Sequence, residues 1–219
     1  MLKRKKKNKG ICLLLLVGFF LIMFSFLLVL FNQFIIKNKL VEENNLKNEF
    51  YRDYEEIRNT PKVEFQEELQ DIVIEQPKEE TTPTSNINYI GILKIDKINL
   101  EKGFVDKMSP YNNVDINIQI LKDSDMPDDD NGNVILAGHS GSGKTAYFRN
   151  LYKLGKEDLI SIFYKGYEYK YKVVNIYDID KIGTAHIIRN ANKNTLTLIT
   201  CRDKTEKQII IICEFYERN

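Results

Sequence analysis

Cys201 and His139 are the two residues whose type and setting could do chemistry. Cys201 follows the strand-like run Thr195-Leu196-Thr197-Leu198-Ile199-Thr200, and His139 follows Val134-Ile135-Leu136-Ala137-Gly138. A thiol becomes a nucleophile only as the thiolate, and a neighbouring imidazole can draw off its proton or stabilise its charge. A nucleophile and a base, each at the end of a strand-like run, make the pair a candidate for thiol chemistry.

A second motif competes for the same loop. Gly138-His139-Ser140-Gly141-Ser142-Gly143-Lys144-Thr145 fits the spacing of a phosphate-binding loop, after an apolar strand and before a helix-like pattern. In that reading Lys144 would face phosphates, and the strand ending at Asp178 would hold Mg²⁺. The later segments argue against it. They have the texture of antiparallel hairpins, whereas a phosphate-loop fold needs crossover units.

The remaining cysteines carry less chemistry. Cys12 lies in an apolar run near the N-terminus. Cys213 ends the run Ile209-Ile210-Ile211-Ile212, which reads as the partner strand of 195–200 around the turn 202–207. That register sets Cys201 opposite Gln208 and Cys213 opposite Leu196. Several residues of strand at about 3.3 Å each then separate the sulfurs. A disulfide tolerates a Cα separation of only about 7 Å, so Cys201 is expected free and Cys213 a small core residue.

The apolar run itself, residues 11–31, is 21 residues without a charge. That length spans a hydrocarbon core of roughly 30 Å as a helix. Lys3, Arg4, Lys5, Lys6, Lys7 and Lys9 precede it, which keeps residues 1–10 cytoplasmic and sends the rest of the chain outward. A cleaved signal peptide is the competing reading, but residues 32–36 offer no small-residue cleavage site. An uncleaved signal anchor is therefore expected. It also places the glycine-rich loop where nucleoside triphosphates are scarce.

Residues 32–86 read as a stalk. Leu46, Phe50, Tyr54 and Ile57 recur at helical spacing until Pro61, Leu69, Ile72 and Val73 suggest another helical turn, and residues 76–85 have linker composition. The alternative is an integral N-terminal subdomain. From residue 87 short strands alternate with tight turns. They include 90–95, 98–100, 134–137, 159–163, 167–177 and 187–188, with Phe148, Leu151 and Tyr152 on one face of a helix over 146–154. This pattern predicts a mostly antiparallel β-barrel or sandwich. A formal net charge of +1 excludes the basic excess of a general nucleic-acid binder. Asp128-Asp129-Asp130 lacks EF-hand spacing and reads as a solvated turn, His186 reads as a surface or strand-end residue, and no motif calls for a metal or cofactor.

The ordered set Asn133 to His139, then Phe148 and Leu151, Tyr169 to Val173, and finally Thr195 to Cys201 resembles the sortase family of Gram-positive surface transpeptidases over roughly residues 87–217. The anchor and stalk are similar too. A second apolar segment, as in the pilus-building class, and the helix-bearing insertion of class B are not seen. The resemblance implies a closed barrel of about eight strands in a catalytic domain over 87–219, with short helices. It implies attack by Cys201 on the Thr carbonyl of a Leu-Pro-x-Thr-Gly-like C-terminal sorting signal, His139 as proton donor and acceptor, and transfer to an amine of a cell-wall precursor peptide or a pilin. Ser140 and Thr200 would line the substrate groove. The family's arginine after the cysteine loop has no counterpart in Lys207-Gln208-Ile209. Its role falls to Arg202, or to Gln208 with Lys207. A catalytically weak peptide-binding barrel is the reading left open by that departure.

Overall fold

The apolar run lies inside one uninterrupted helix, α1 (Leu2–Asn59). The structure, a computed structural model, describes residues 2–60, 87–181 and 185–219, with side chains from Leu13 onward. Cys12, Leu69, Ile72, Val73 and the linker-like residues 76–85 fall outside what is described. Two units are distinguished, Met1–Asn45 and Leu46–Asn219. In the first, Leu13 to Phe34 present large apolar side chains outward, and the helix is long and apolar enough to cross a membrane. Such a surface is stable only where lipid or another apolar phase replaces water.

α1 does not stop where the apolar run stops. It continues to Asn59, two residues before Pro61, which disfavours helical backbone in the residue before it. Thr60 closes the end by donating both its N–H and its Oγ1 to Glu56 O, at 3.1 and 2.7 Å.

The second unit begins with the last turns of α1. Leu46, Phe50 and Tyr54 share the inward face that their spacing predicts, and Tyr54 is only 3% exposed. The Tyr51 and Tyr54 rings both meet Phe163 edge-on at 5.7 Å, and Tyr51 Oη donates to Glu101. Ile57 is half exposed, but it lies against Gly166, whose φ of +77° and lack of space for a Cβ both require glycine.

Eight strands follow: β1 (Gly91–Ile95), β2 (Leu100–Phe104), β3 (Gln119–Ile120), β4 (Asn133–Ala137), β5 (Leu159–Tyr164), β6 (Tyr167–Asp180), β7 (Thr195–Cys201) and β8 (Lys207–Arg218). They form one sheet in the order β2-β1-β5-β6-β8-β7-β4-β3, and a bridge between Phe104 and Ile118 nearly closes it into a barrel. This is the barrel of about eight strands that the resemblance implies. Alternation fills the interior with Leu93, Phe104, Leu136, Ile162, Tyr171, Leu198 and Ile211. On the outer face Ile135, Ile199, Ile210 and Ile212 form a second cluster, partly covered by Leu121, Tyr177 and Ile187.

The pairing of β4 with β7 is parallel in a mostly antiparallel set. Two local expectations are corrected. Residues 146–154 form turns and one 3₁₀ turn (Leu151–Lys153), because the Phe148 N–H donates to His139 O instead of starting a helical ladder. Phe148 and Leu151 are buried as expected, whereas Tyr152 is 60% exposed. Ile187 and Ile188 are not a strand. Tyr177 Oη occupies their backbone groups, donating to His186 O at 3.1 Å and accepting from Ile188 N at 2.9 Å.

Candidate active site

The parallel register of β4 and β7 brings the backbones that carry the two candidate residues to one level. Asn133 pairs with Thr195 and each later residue follows in step, to Ala137 beside Ile199. The same offset continues past the strand end: Gly138 N donates to Ile199 O at 3.2 Å, and Thr200 Oγ1 donates to Gly138 O at 2.7 Å. The next position on each chain is His139 and Cys201. Adjacent strands lie about 4.8 Å apart, so imidazole and thiol leave neighbouring backbones at one level.

Each backbone is pinned for a local reason. A Cβ on Gly138 would sit 3.0 Å from the Phe148 ring, so the missing side chain lets that ring pack under the histidine loop. Asn133 Oδ1 accepts from Thr195 Oγ1 and Thr197 Oγ1 at 3.0 and 2.9 Å, tying the starts of the two strands. Across the other edge of β7, Cys201 stands opposite Gln208 and Leu196 opposite Cys213, as the hairpin register predicts. Both cysteines are free thiols. Burial pushes the Cys213 thiol far up, which keeps it out of thiolate chemistry, while Cys201 is partly exposed.

The two candidates for the third role occupy different places. Paired residues on neighbouring strands share a face, so Gln208 lies on the face of Cys201, the outer face that carries Ile199 and Ile210. Thr200 and Leu198 turn to the other face. Arg202 binds Asp178, with Nε and Nη2 donating to one carboxylate oxygen at 3.0 and 2.7 Å. Asp178 pairs with Ile209, an interior residue, so Arg202 reaches over the barrel-interior side of β8. Lys207 is exposed at the start of β8.

A groove of about 760 Å³ runs beside Cys201. Ser140, Gly141, Ser142, Arg202, Asp203 and Lys204 line it. Thr200 lines it too, although its hydroxyl is held by Gly138. Tyr152 and Arg149 also line it. No sequence signal marks them as site residues, since this stretch reads as a helix with Tyr152 on its apolar face. Asp115, which no sequence signal marked, places Oδ1 2.9 Å from His139 Nε2. It precedes the histidine by 24 residues in a loop whose path is set only by the fold.

Other motifs have structural partners. Among the described residues no α-helix follows Lys144, so the glycine-rich loop lacks the helix N-terminus that would receive a phosphate. Asp128 binds Lys165, and Asp129 accepts from Met126 N. His186 is exposed.

Comparisons with known proteins follow this geometry. Residues 93–215 match the Sortase domain family. Sortase D of Bacillus subtilis (strain 168) is 32% identical over 111 residues, covering 51% of this chain and 53% of that protein. The chain thus aligns to about half the length of that relative. A Clostridium perfringens sortase D5 transpeptidase is similar in structure, with a TM-score of 0.51, 25% identity, and coverage of 59% of this chain and 80% of that one. The lid mutant of sortase A from Corynebacterium diphtheriae shares the fold, with a TM-score of 0.53, 22% identity, and coverage of 59% and 70%.

Proposed function

Because this chain belongs to the sortase family, we propose that it is a membrane-anchored cysteine transpeptidase acting on proteins that carry a C-terminal sorting signal. The observation that supports the reading is the parallel register of β4 and β7, which brings the backbones of His139 and Cys201 to one level on neighbouring strands. α1 supplies the anchor, with the basic residues 1–10 on the cytoplasmic side and the barrel outside.

The Cys201 thiolate attacks the carbonyl carbon of the threonine in a Leu-Pro-x-Thr-Gly-like signal. The resulting oxyanion collapses, the peptide C–N bond breaks, and the leaving amine takes a proton from His139. An acceptor amine, on a cell-wall precursor peptide or a pilin, then loses a proton to His139 and attacks the thioester. The new amide forms and the sulfur leaves as thiolate. Gln208 takes the third role: it shares the face of Cys201, and its side-chain amide can donate to the oxyanion. Arg202, held by Asp178 toward the other face, shapes the groove wall, together with Ser140 and Lys204.

The test is turnover by the full chain in nanodiscs, with fluorogenic Leu-Pro-x-Thr-Gly-type peptides and an amine nucleophile. An amine-joined product from the parent and none from Cys201→Ala is the expected result. Peptide binding without any Cys201-dependent product would instead establish a binding barrel.

A further inference from the structure

The loop before β3 places a carboxylate on the outer nitrogen of the histidine. His139 Nε2 and Asp115 Oδ1 are 2.9 Å apart. Both side chains are substantially exposed, at 43% and 77%, so the pair adds little to folding stability. Its geometry is nevertheless built. Asn113 Oδ1 accepts from Asp115 N at 2.9 Å, and Asn113 O accepts from Asn117 N at 2.7 Å, fixing a tight turn around Asp115. Asn112 joins that turn to β3, with Nδ2 donating to Ile120 O at 2.9 Å and Oδ1 accepting from Ile120 N at 2.7 Å. β3 pairs with β4, Gln119 opposite Ala137, two residues before His139. From the other side, Tyr147 Oη in the histidine loop donates to Ile116 O at 3.4 Å. The two loops are therefore tied on both flanks of the Asp115–His139 contact.

We propose that Asp115 is a positioning residue that holds His139 by Nε2–H and leaves Nδ1 as the nitrogen that exchanges protons during transfer. The chemistry follows from the imidazole. A carboxylate is an acceptor only, so the nitrogen beside it carries the proton, and in the neutral ring the other nitrogen is then the base. Without the carboxylate the ring populates both tautomers and turns more freely. A fixed tautomer keeps Nδ1 as the one site that takes a proton from the acceptor amine or gives one to the leaving amine. The inference rests on the reading of His139 and Cys201 as acid–base and nucleophile.

The test uses the full-length chain in detergent micelles, labelled with ¹⁵N. The protein has two histidines, and His186→Gln assigns their ring signals. Neutral His139 is expected to carry its proton on Nε2, with the Nδ1–H form rising several-fold in Asp115→Ala. In the turnover assay Asp115→Ala should lower kcat by about 10- to 100-fold with KM within about twofold and an unchanged melting temperature, and Asp115→Glu should recover part of the loss. A proton on Nδ1 in the parent protein, or ring signals and kcat that do not respond to Asp115→Ala, would overturn the proposal. If the parent turns over no sorting peptide, the transpeptidase reading fails, and the ring-nitrogen spectra still decide the role of Asp115.

Discussion

Thr200 and Gly138, the residues immediately before Cys201 and His139, are joined by a hydrogen bond of 2.7 Å from Thr200 Oγ1 to Gly138 O. Both lie at the sheet end, where the β4–β7 ladder gives out, and both are buried. The bond extends the pairing of the strands to the level of the two reactive residues. Thr200→Val removes the donor and leaves a buried carbonyl short of a partner, at a cost of about 1–3 kcal/mol. Turnover should fall with it, because the separation of imidazole and thiol is no longer fixed. Thr200→Ser keeps the hydroxyl and should retain most of both. Urea denaturation and peptide turnover on the same preparations measure the two effects.

Gly138 answers a steric demand rather than a conformational one. An added methyl would stand 3.0 Å from the Phe148 ring, closer than such contacts normally run. Gly138→Ala should therefore destabilise by about 1–3 kcal/mol through overpacking. It should also slow turnover, since His139 is the next residue and its carbonyl binds the Phe148 N–H. Gly138→Ala with Phe148→Leu should recover part of the stability, seen as favourable coupling in a double-mutant cycle.

The strand-end positions of His139 and Cys201 were legible in the sequence because both follow runs of strong apolar character. The Cys201–Gln208 register was legible because Ile209 to Ile212 can pair with 196–200 around a short turn in only one sensible way. The parallel contact of β4 with β7 was not, since the intervening residues supply two further strands before the chain returns. Asp115 was hidden for a related reason: an exposed aspartate in a polar loop has no local pattern that marks its partner. The packing of Leu46–Asn59 on the barrel was obscured by its charged composition, which looks like a solvated stalk although Tyr51 and Tyr54 find Phe163. Tyr152 was misplaced because helical spacing cannot show that His139 O claims the Phe148 N–H.

Gln208 and Arg202 make opposite predictions. Loss of an oxyanion donor typically lowers kcat by about 10²- to 10³-fold. Gln208→Ala should show a loss of about that order with little change in folding, and Gln208→Glu a larger one, because it replaces the donor with an anion on the face of Cys201. Arg202→Ala should change kcat by less than about tenfold. It should act instead on KM, since Arg202, held by Asp178, lines the groove. Equal kcat losses for Arg202→Ala and Gln208→Ala would count against the assignment.

Asp158 gives the barrel an acid-sensitive tether. Burial alone would raise its carboxyl. Hydrogen bonds from Lys97 Nζ and Gly155 N, both 2.7 Å, and the lysine charge outweigh burial and hold it below its ordinary 3.8. A depressed carboxylate contributes stability that is fully present above the unfolded value and lost as pH falls through the folded one. The melting temperature should therefore drop less between about pH 5 and pH 3 in Asp158→Asn than in the parent. Near neutral pH, the asparagine variant should be the less stable of the two, because Lys97 has lost its anion.

The last turns of α1 should behave as part of the barrel rather than as a tether. Tyr54 is nearly fully buried, and Tyr51 and Tyr54 cover Phe163 on β5. Burial of one such aromatic side chain stabilises by about 1.5–3 kcal/mol. The contact of Tyr51 with Glu101 adds a polar anchor on β2. A fragment beginning at Leu46 should thus melt well above one beginning at Ser85, which would leave Phe163 uncovered. Within the longer fragment, Tyr54→Ala should remove about 2–4 kcal/mol, combining lost transfer energy with the cavity left behind. Arg52→Ala, on the exposed side of the same helix, should do almost nothing. Equal melting temperatures for the two fragments would show that the helix only rests on the barrel, and would return residues 46–59 to the stalk.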